Sequence, residues 1–173
     1  MFVILLTALS LSMDAFSLAI IYGTKETSEV KKIVLSILVG INHFFLPIIG
    51  KMTGDGIFSN KLINPSIITM IVFSIIGLEM IISEEKDAKV SKLGILEIVI
   101  FAVSVSIDSF IVGITYHKNT KILLSSLLFM LFSGFLTFVG LKIGTKIGHK
   151  IGIYARKIGG VLLIVIGLYS LLA

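Results

Sequence analysis

The chain has 173 residues, 56% of them hydrophobic and only 14% charged, with a mean hydropathy of +1.10. Charged residues make up about 25% of an ordinary soluble domain, so this composition excludes a water-soluble enzyme and specifies an integral membrane protein. The net charge of +5 comes from Lys and Arg placed between or at the ends of apolar runs, which argues against a nucleic-acid-binding face, and the absence of cysteine excludes disulfides and thiolate metal sites.

A bilayer crossing needs about 20 mostly apolar residues, with a range of roughly 17–25. Stretches of that kind fall at about 2–22, 33–50, 66–83, 95–116, 122–141 and 157–173. The expected fold is therefore all-α, a single polytopic membrane domain of six transmembrane helices over residues 1–173. The first helix has no basic segment before it and is interrupted by Asp14 in L-S-L-S-M-D-A-F, so it reads as a retained span, not a cleaved signal. The second carries Asn42, His43 and Pro47, and the third carries Glu79 near its end, from where its side chain is expected to snorkel toward headgroups. The fourth repeats the anomaly of the first, with Asp108 in V-S-V-S-I-D-S-F. Between the fifth and sixth lies G-L-K-I-G-T-K-I-G-H-K-I-G, whose Gly140, Gly144, Gly148 and Gly152 would form a ridge for close helix approach, with His149 at the interface.

Eleven Lys and Arg residues fall in the first, third and fifth loops, Arg156 among them, against four in the second and fourth. The positive-inside bias then places the odd loops in the cytoplasm and both termini outside.

An offset of 94 residues aligns Ala8, Ser10, Ser12, Asp14 and Phe16 with Ala102, Ser104, Ser106, Asp108 and Phe110, and carries on to pair Gly40 with Gly134 and Gly50 with Gly144. An offset of 90 brings I-I-G-L at 75–78 onto V-I-G-L at 165–168. Duplication of a three-helix unit explains this, with repeat one at about 1–83, repeat two at about 95–173 and a cytoplasmic connector at about 84–94. An odd number of spans turns the second copy over, which is the inverted-repeat plan of many secondary transporters, with the substrate near the midplane between repeats.

Asp14 and Asp108 each lie past the centre of their helix, on opposite sides of the midplane by roughly 3–4 Å at 1.5 Å rise per residue. An unpaired carboxylate at that depth costs about 2.5–3.5 kcal/mol on insertion scales. No Lys or Arg is expected at similar depth, so a bound cation or protons would supply the counter-charge. Ser10 and Ser104 lie four residues before their Asp and share its face; each either joins an oxygen-rich site or bonds its own i−4 carbonyl. Ser12 and Ser106 point elsewhere and read as packing residues. Asn42 and His43 either bond neighbouring helices or take part as ligands or proton relays. Oxygen ligands suit Mg²⁺, Ca²⁺ or Mn²⁺, and a histidine tilts the choice toward transition metals. The residues alone reach a hard or borderline divalent cation, or protons, as the transported species, with no cofactor.

S-M-D-A-F, G-I-N-H-F-F-L-P-I-I-G, I-I-G-L-E-M-I-I, S-I-D-S-F-I-V-G-I and I-G-G-V-L-L-I-V-I-G-L together resemble the MntP-type manganese efflux pumps and the related YtaF-like sporulation membrane proteins, within the LysE-like transporter superfamily. The resemblance covers the whole chain and departs from the family pattern at His43 and Glu79. It implies a bacterial plasma-membrane exporter of Mn²⁺, not an enzyme, with Asp14 and Asp108 at the family's essential carboxylates and Mn²⁺ as cargo. Asn42, His43, Ser10 and Ser104 complete the expected metal-ligating set. The alternatives are a YtaF-like membrane protein without manganese export and an intramembrane aspartyl protease, whose Y-D and G-x-G-D patterns do not occur here. Monomer and homodimer are equally compatible with the sequence.

Overall fold

The computed structural model describes residues 2–23, 28–57, 65–82, 95–116, 121–147 and 150–172. Among these it is helical throughout, with α1 (Phe2–Gly23), α2 (Glu29–Ile57), α3 (Pro65–Ile82), α4 (Ile95–Ile114), α5 (Ile122–Ile147) and α6 (Lys150–Tyr169). The six expected helices are present, but three are longer than their apolar cores. α2 starts at Glu29 and ends at Ile57, α5 runs to Ile147 and α6 begins at Lys150. The added turns are charged and amphipathic, and α2 holds two of them with the ion pairs Lys32–Glu29 and Lys51–Asp55 at helical spacing. α2 also continues through Pro47. The loop lysines 25, 61, 86, 89, 92 and 118, His149, and the side chain of Glu97, which reads from the sequence as solvated, lie outside what the structure describes.

The burial pattern is that of a protein surrounded by hydrocarbon. Ile33, Ile37, Ile41, Phe45 and Ile49 form an exposed stripe with a four-residue period on α2, and α3 repeats it with Ile67, Ile71 and Ile75. Ser12, Ser17, Ser106, Ser126, Ser133 and His43 are fully buried. A soluble monomer rarely exposes a large contiguous apolar patch; here every helix exposes large apolar side chains. Among the described residues α1, α2 and α5 are long and apolar enough to cross a bilayer, while α3 and α4 carry apolar stretches of 17 residues, Ser66–Ile82 and Ile98–Ile114. The chain is a membrane protein.

α1 packs along α5 and α6, α2 along α4 and α5, and α3 along α6. The extensive contacts run in the order α4, α2, α5, α1, α6, α3, and α4 meets α3 and α1 only slightly. Each of these extensive pairings joins the first three helices to the last three, so neither half has a packed core of its own among the described residues.

Glycines set the closest approaches. Added Cβ atoms at Gly140 and Gly144 would strike the Phe16 and Ile20 carbonyl oxygens on α1, and those at Gly50 and Gly54 would strike the Phe110 and Ile114 carbonyls on α4. Both number series rise together, so α1 runs parallel to α5 and α2 parallel to α4. In contrast Gly40 faces Met130 and Gly134 faces Ser36, while Gly77 meets Gly160 and Gly167 meets Phe73, which makes α2/α5 and α3/α6 antiparallel. These directions are the ones that six successive membrane crossings require.

Filling either parallel crossing should force the helices apart. Gly50→Leu and Gly144→Leu are each expected to destabilise the protein by at least about 1–3 kcal/mol, the usual range for overpacking, seen as a lower unfolding midpoint in detergent. Gly56→Leu, with nothing within 4 Å of its Cβ position, is expected to leave that midpoint unchanged.

Candidate functional site

Asp14 is buried on the face of α1 that α6 covers. α6 comes this close because Gly159 lies against the Ser10 carbonyl and Met13, where a Cβ would be 2.8 and 3.0 Å away. Three residues before Gly159, Arg156 reaches α1, and its Nε lies 2.8 Å from Asp14 Oδ1. The same guanidinium donates from Nη2 to Glu79 Oε1 at 3.0 Å. Glu79 is held there by the α3/α6 crossing, where a Cβ on either Gly77 or Gly160 would lie 2.5 Å from the other's carbonyl oxygen and Met80 is buried beside them. The Asp14 and Arg156 side chains are 9% and 11% exposed and that of Glu79 is 54% exposed, so the cluster runs from a buried acid to one at the protein's edge.

The structure corrects two sequence expectations here. Asp14 has a basic neighbour, and Glu79 is tied to that neighbour instead of reaching for headgroups. Arg156 counts as a loop residue when spans are drawn by hydropathy; α6 in fact starts at Lys150, which places Arg156 in its second turn. Two signals were available in the sequence: Arg156 is the only arginine in the chain, and Glu79 stands within an otherwise apolar run. Removing one member of a buried ion pair typically costs about 3–5 kcal/mol, so Arg156 is part of what makes Asp14 tolerable in the bundle.

Asp108 is half-buried on α4, within electrostatic range of Asp14, Glu79 and Arg156. The two aspartates are thus close enough to interact electrostatically, together with Glu79 of α3 and Arg156 of α6. Their surroundings differ. Ser10 is buried and donates to the Leu6 carbonyl at 2.8 Å, the back-bonded state, which leaves its oxygen lone pairs free to accept. Its counterpart Ser104 is exposed, because α4 lacks the cover from α3 that α1 receives from α6.

His43 is fully buried at the α2/α4 contact, and Asn42 beside it is half-buried. His43 Nδ1 lies 2.9 Å from the Val39 carbonyl and 3.0 Å from Ser106 Oγ, and Ser106 itself donates to the Ala102 carbonyl at 2.7 Å. A carbonyl only accepts, so Nδ1 carries a proton, and Nε2 of the neutral ring then presents a buried lone pair without a hydrogen-bond partner. Ser106 is therefore engaged with a functional candidate, which its position on the helix wheel did not suggest. Ser12 matches the packing role expected for it, meeting Ser133 of α5 at 3.2 Å.

Among the described residues no three His, Asp or Glu side chains converge as a ready metal cage. Any ion held here would take the aspartates together with hydroxyl, amide, carbonyl or water oxygens, a ligand set suited to hard divalent cations.

A family model described as "Putative manganese efflux pump" matches residues 26–171. A Bacillus pumilus protein named "Putative manganese efflux pump MntP" is 32% identical over 165 residues, covering 93% of this chain and 89% of that protein. A protein of the same name from Methanosphaera stadtmanae is 33% identical over 175 residues, covering 98% and 97%. No solved structure matches the chain. With the match running through all but the first helix and relatives similar over nearly their full length, the chain belongs to the MntP family of manganese efflux pumps.

Proposed function

We propose that the protein exports Mn²⁺ from the cytoplasm by alternating access, with Asp14 and Asp108 as the carboxylates that bind the ion. The observation that carries this reading is the pair of aspartates close enough to interact electrostatically in a polar-cored, lipid-exposed helix bundle, in a chain of this family. Ionisable residues inside a membrane bundle are costly and characteristically mark ion pathways.

The uneven helix contacts support a two-state mechanism. Under the duplication, the α1/α6 contact corresponds to α4/α3, yet the first is extensive and the second slight. Exchanging the two arrangements would close α3 onto α4 and release α6 from α1, the alternation that an inverted repeat makes possible. Because the halves interleave, the movement is not a rocking of two rigid three-helix bundles; it is a shift of helices within one bundle. α3 and α4 meet where Thr69 Oγ1 donates to the Thr115 carbonyl at 3.3 Å, near the start of α3 and the end of α4. With the termini outside, that is the outer end, and the loose end of the seam, beside Glu79, faces the cytoplasm, as a state awaiting cytoplasmic cargo requires.

In manganese-challenged cells lacking other exporters, the wild-type protein is expected to lower cellular manganese several-fold by elemental analysis. Asp14→Ala and Asp108→Ala, together or singly, should abolish that effect at equal membrane abundance. Equal manganese with and without the wild-type protein would overturn the assignment, and the same samples would reveal any other metal that moved. The orientation has its own test in a chain free of cysteine. Gly56→Cys should react with an impermeant thiol reagent in intact cells, and Ser28→Cys only after permeabilisation; the reverse pattern would invert the topology.

A further inference from the structure

We propose that Arg156 is the resident cation of the transport site. Its guanidinium neutralises Asp14 while no cargo is bound, an entering divalent ion displaces it, and Glu79 retains it close by until the ion has left. This rests on the reading of Asp14 and Asp108 as the cargo-binding carboxylates.

The geometry already holds both stages. One guanidinium spans two carboxylates, 2.8 Å from Asp14 and 3.0 Å from Glu79. The guanidinium donates to Glu79 from Nη2 and meets Asp14 with Nε. An entering divalent ion carries twice the charge of the guanidinium and so competes for the buried Asp14, while Glu79, already accepting from Nη2, keeps a hold on Arg156. Glu79 sits at the edge and Asp14 inside, so withdrawal of Arg156 toward Glu79 clears the inner acid and leaves the guanidinium at the entrance.

Formal charge agrees. With the carboxylates ionised, Asp14, Asp108 and Glu79 carry three negative charges and Arg156 one positive, which leaves two for a divalent cation to balance. Without cargo, two bare carboxylates would have to complete the return half of the cycle in a low-dielectric interior, where uncompensated charge is most costly. Arg156 removes one of these charges at every return. An arginine suits the task, being permanently charged and able to bridge two acids with its planar fork.

The device is confined to one aspartate. Under the repeat offsets, the residue corresponding to Arg156 is Ser66 and the one corresponding to Glu79 is Tyr169, so Asp108 has neither a basic nor an acidic equivalent. An ion pair kept merely to tie helices together has no reason to sit only at the end of the bundle that the lysine and arginine bias places toward the cytoplasm.

The test is equilibrium Mn²⁺ binding to the purified full-length protein in lipid nanodiscs, with free Mn²⁺ read from its electron paramagnetic resonance signal. Arg156→Gln is expected to bind Mn²⁺ at least tenfold more tightly than wild type while export in cells falls. Glu79→Gln, which leaves Arg156 wholly to Asp14, should bind several-fold more weakly. Arg156→Lys should stay closer to wild type than Arg156→Gln in both assays. Opposite signs for the Gln variants separate this role from a structural one, since damage to folding would weaken binding in both. If wild type binds and Arg156→Gln binds equally or more weakly, the inference is overturned while the manganese reading stands. If neither wild type nor Arg156→Gln binds Mn²⁺, the manganese reading fails and takes the inference with it.

Discussion

A carboxylate placed inside a bundle of helices in hydrocarbon must find a compensating charge, and much of this structure follows from how Asp14 finds one. Its partner is a side chain from α6, and that helix can come near only because Gly159 and Gly160 remove the bulk that would hold it away. The same crossing carries α3 against α6 and so delivers Glu79 to the other side of the guanidinium. One electrostatic demand thus links three helices that are far apart in the chain, and the backbone contacts around it are as close as polypeptide allows. Small residues at such crossings are how membrane helices pack, because no hydrophobic force drives them together in lipid.

In the proposed transport cycle, compensation and cargo binding pull against each other at Asp14. A site that binds its own arginine firmly would never accept an ion, and one with no internal charge would be costly whenever empty. Sharing the guanidinium between a buried acid and one at the edge places the protein between these limits. The polar interior works in the same direction, since Ser10 satisfies its hydrogen on its own helix and keeps lone pairs free, while the ring of His43, protonated at Nδ1, keeps a bare nitrogen at Nε2.

The helices and the two aspartates were legible in the sequence because the bilayer imposes a length on one and a penalty on the other. The helix directions are compatible with the inverted repeat read from the sequence, and Gly40 and Gly134, paired by that repeat, lie at the α2/α5 crossing. Arg156 was hidden for a physical reason: hydropathy finds the hydrocarbon-matched part of a helix, and α6 begins in the basic stretch before it. Ser104 and Ser106 show a second limit. Helical spacing fixes which residues share a face, yet which face is covered depends on neighbours, and at α4 the cover is missing on one side. No period in the sequence encodes the looseness of one seam against the tightness of its counterpart.

The interleaving of the two halves also shapes how the molecule comes into being. Asp14, in α1, is synthesised well before Arg156, in α6. At typical synthesis rates of about 5–20 residues per second, the acid waits on the order of ten seconds before its partner exists. Through that interval α1, α2 and α3 have little to pack on, because their principal neighbours are still to be made. A nascent chain in this condition holds a carboxylate that the membrane disfavours and backbone surfaces shaped for absent helices, so insertion and assembly must be separate events, with these contacts completed only when α6 is in place.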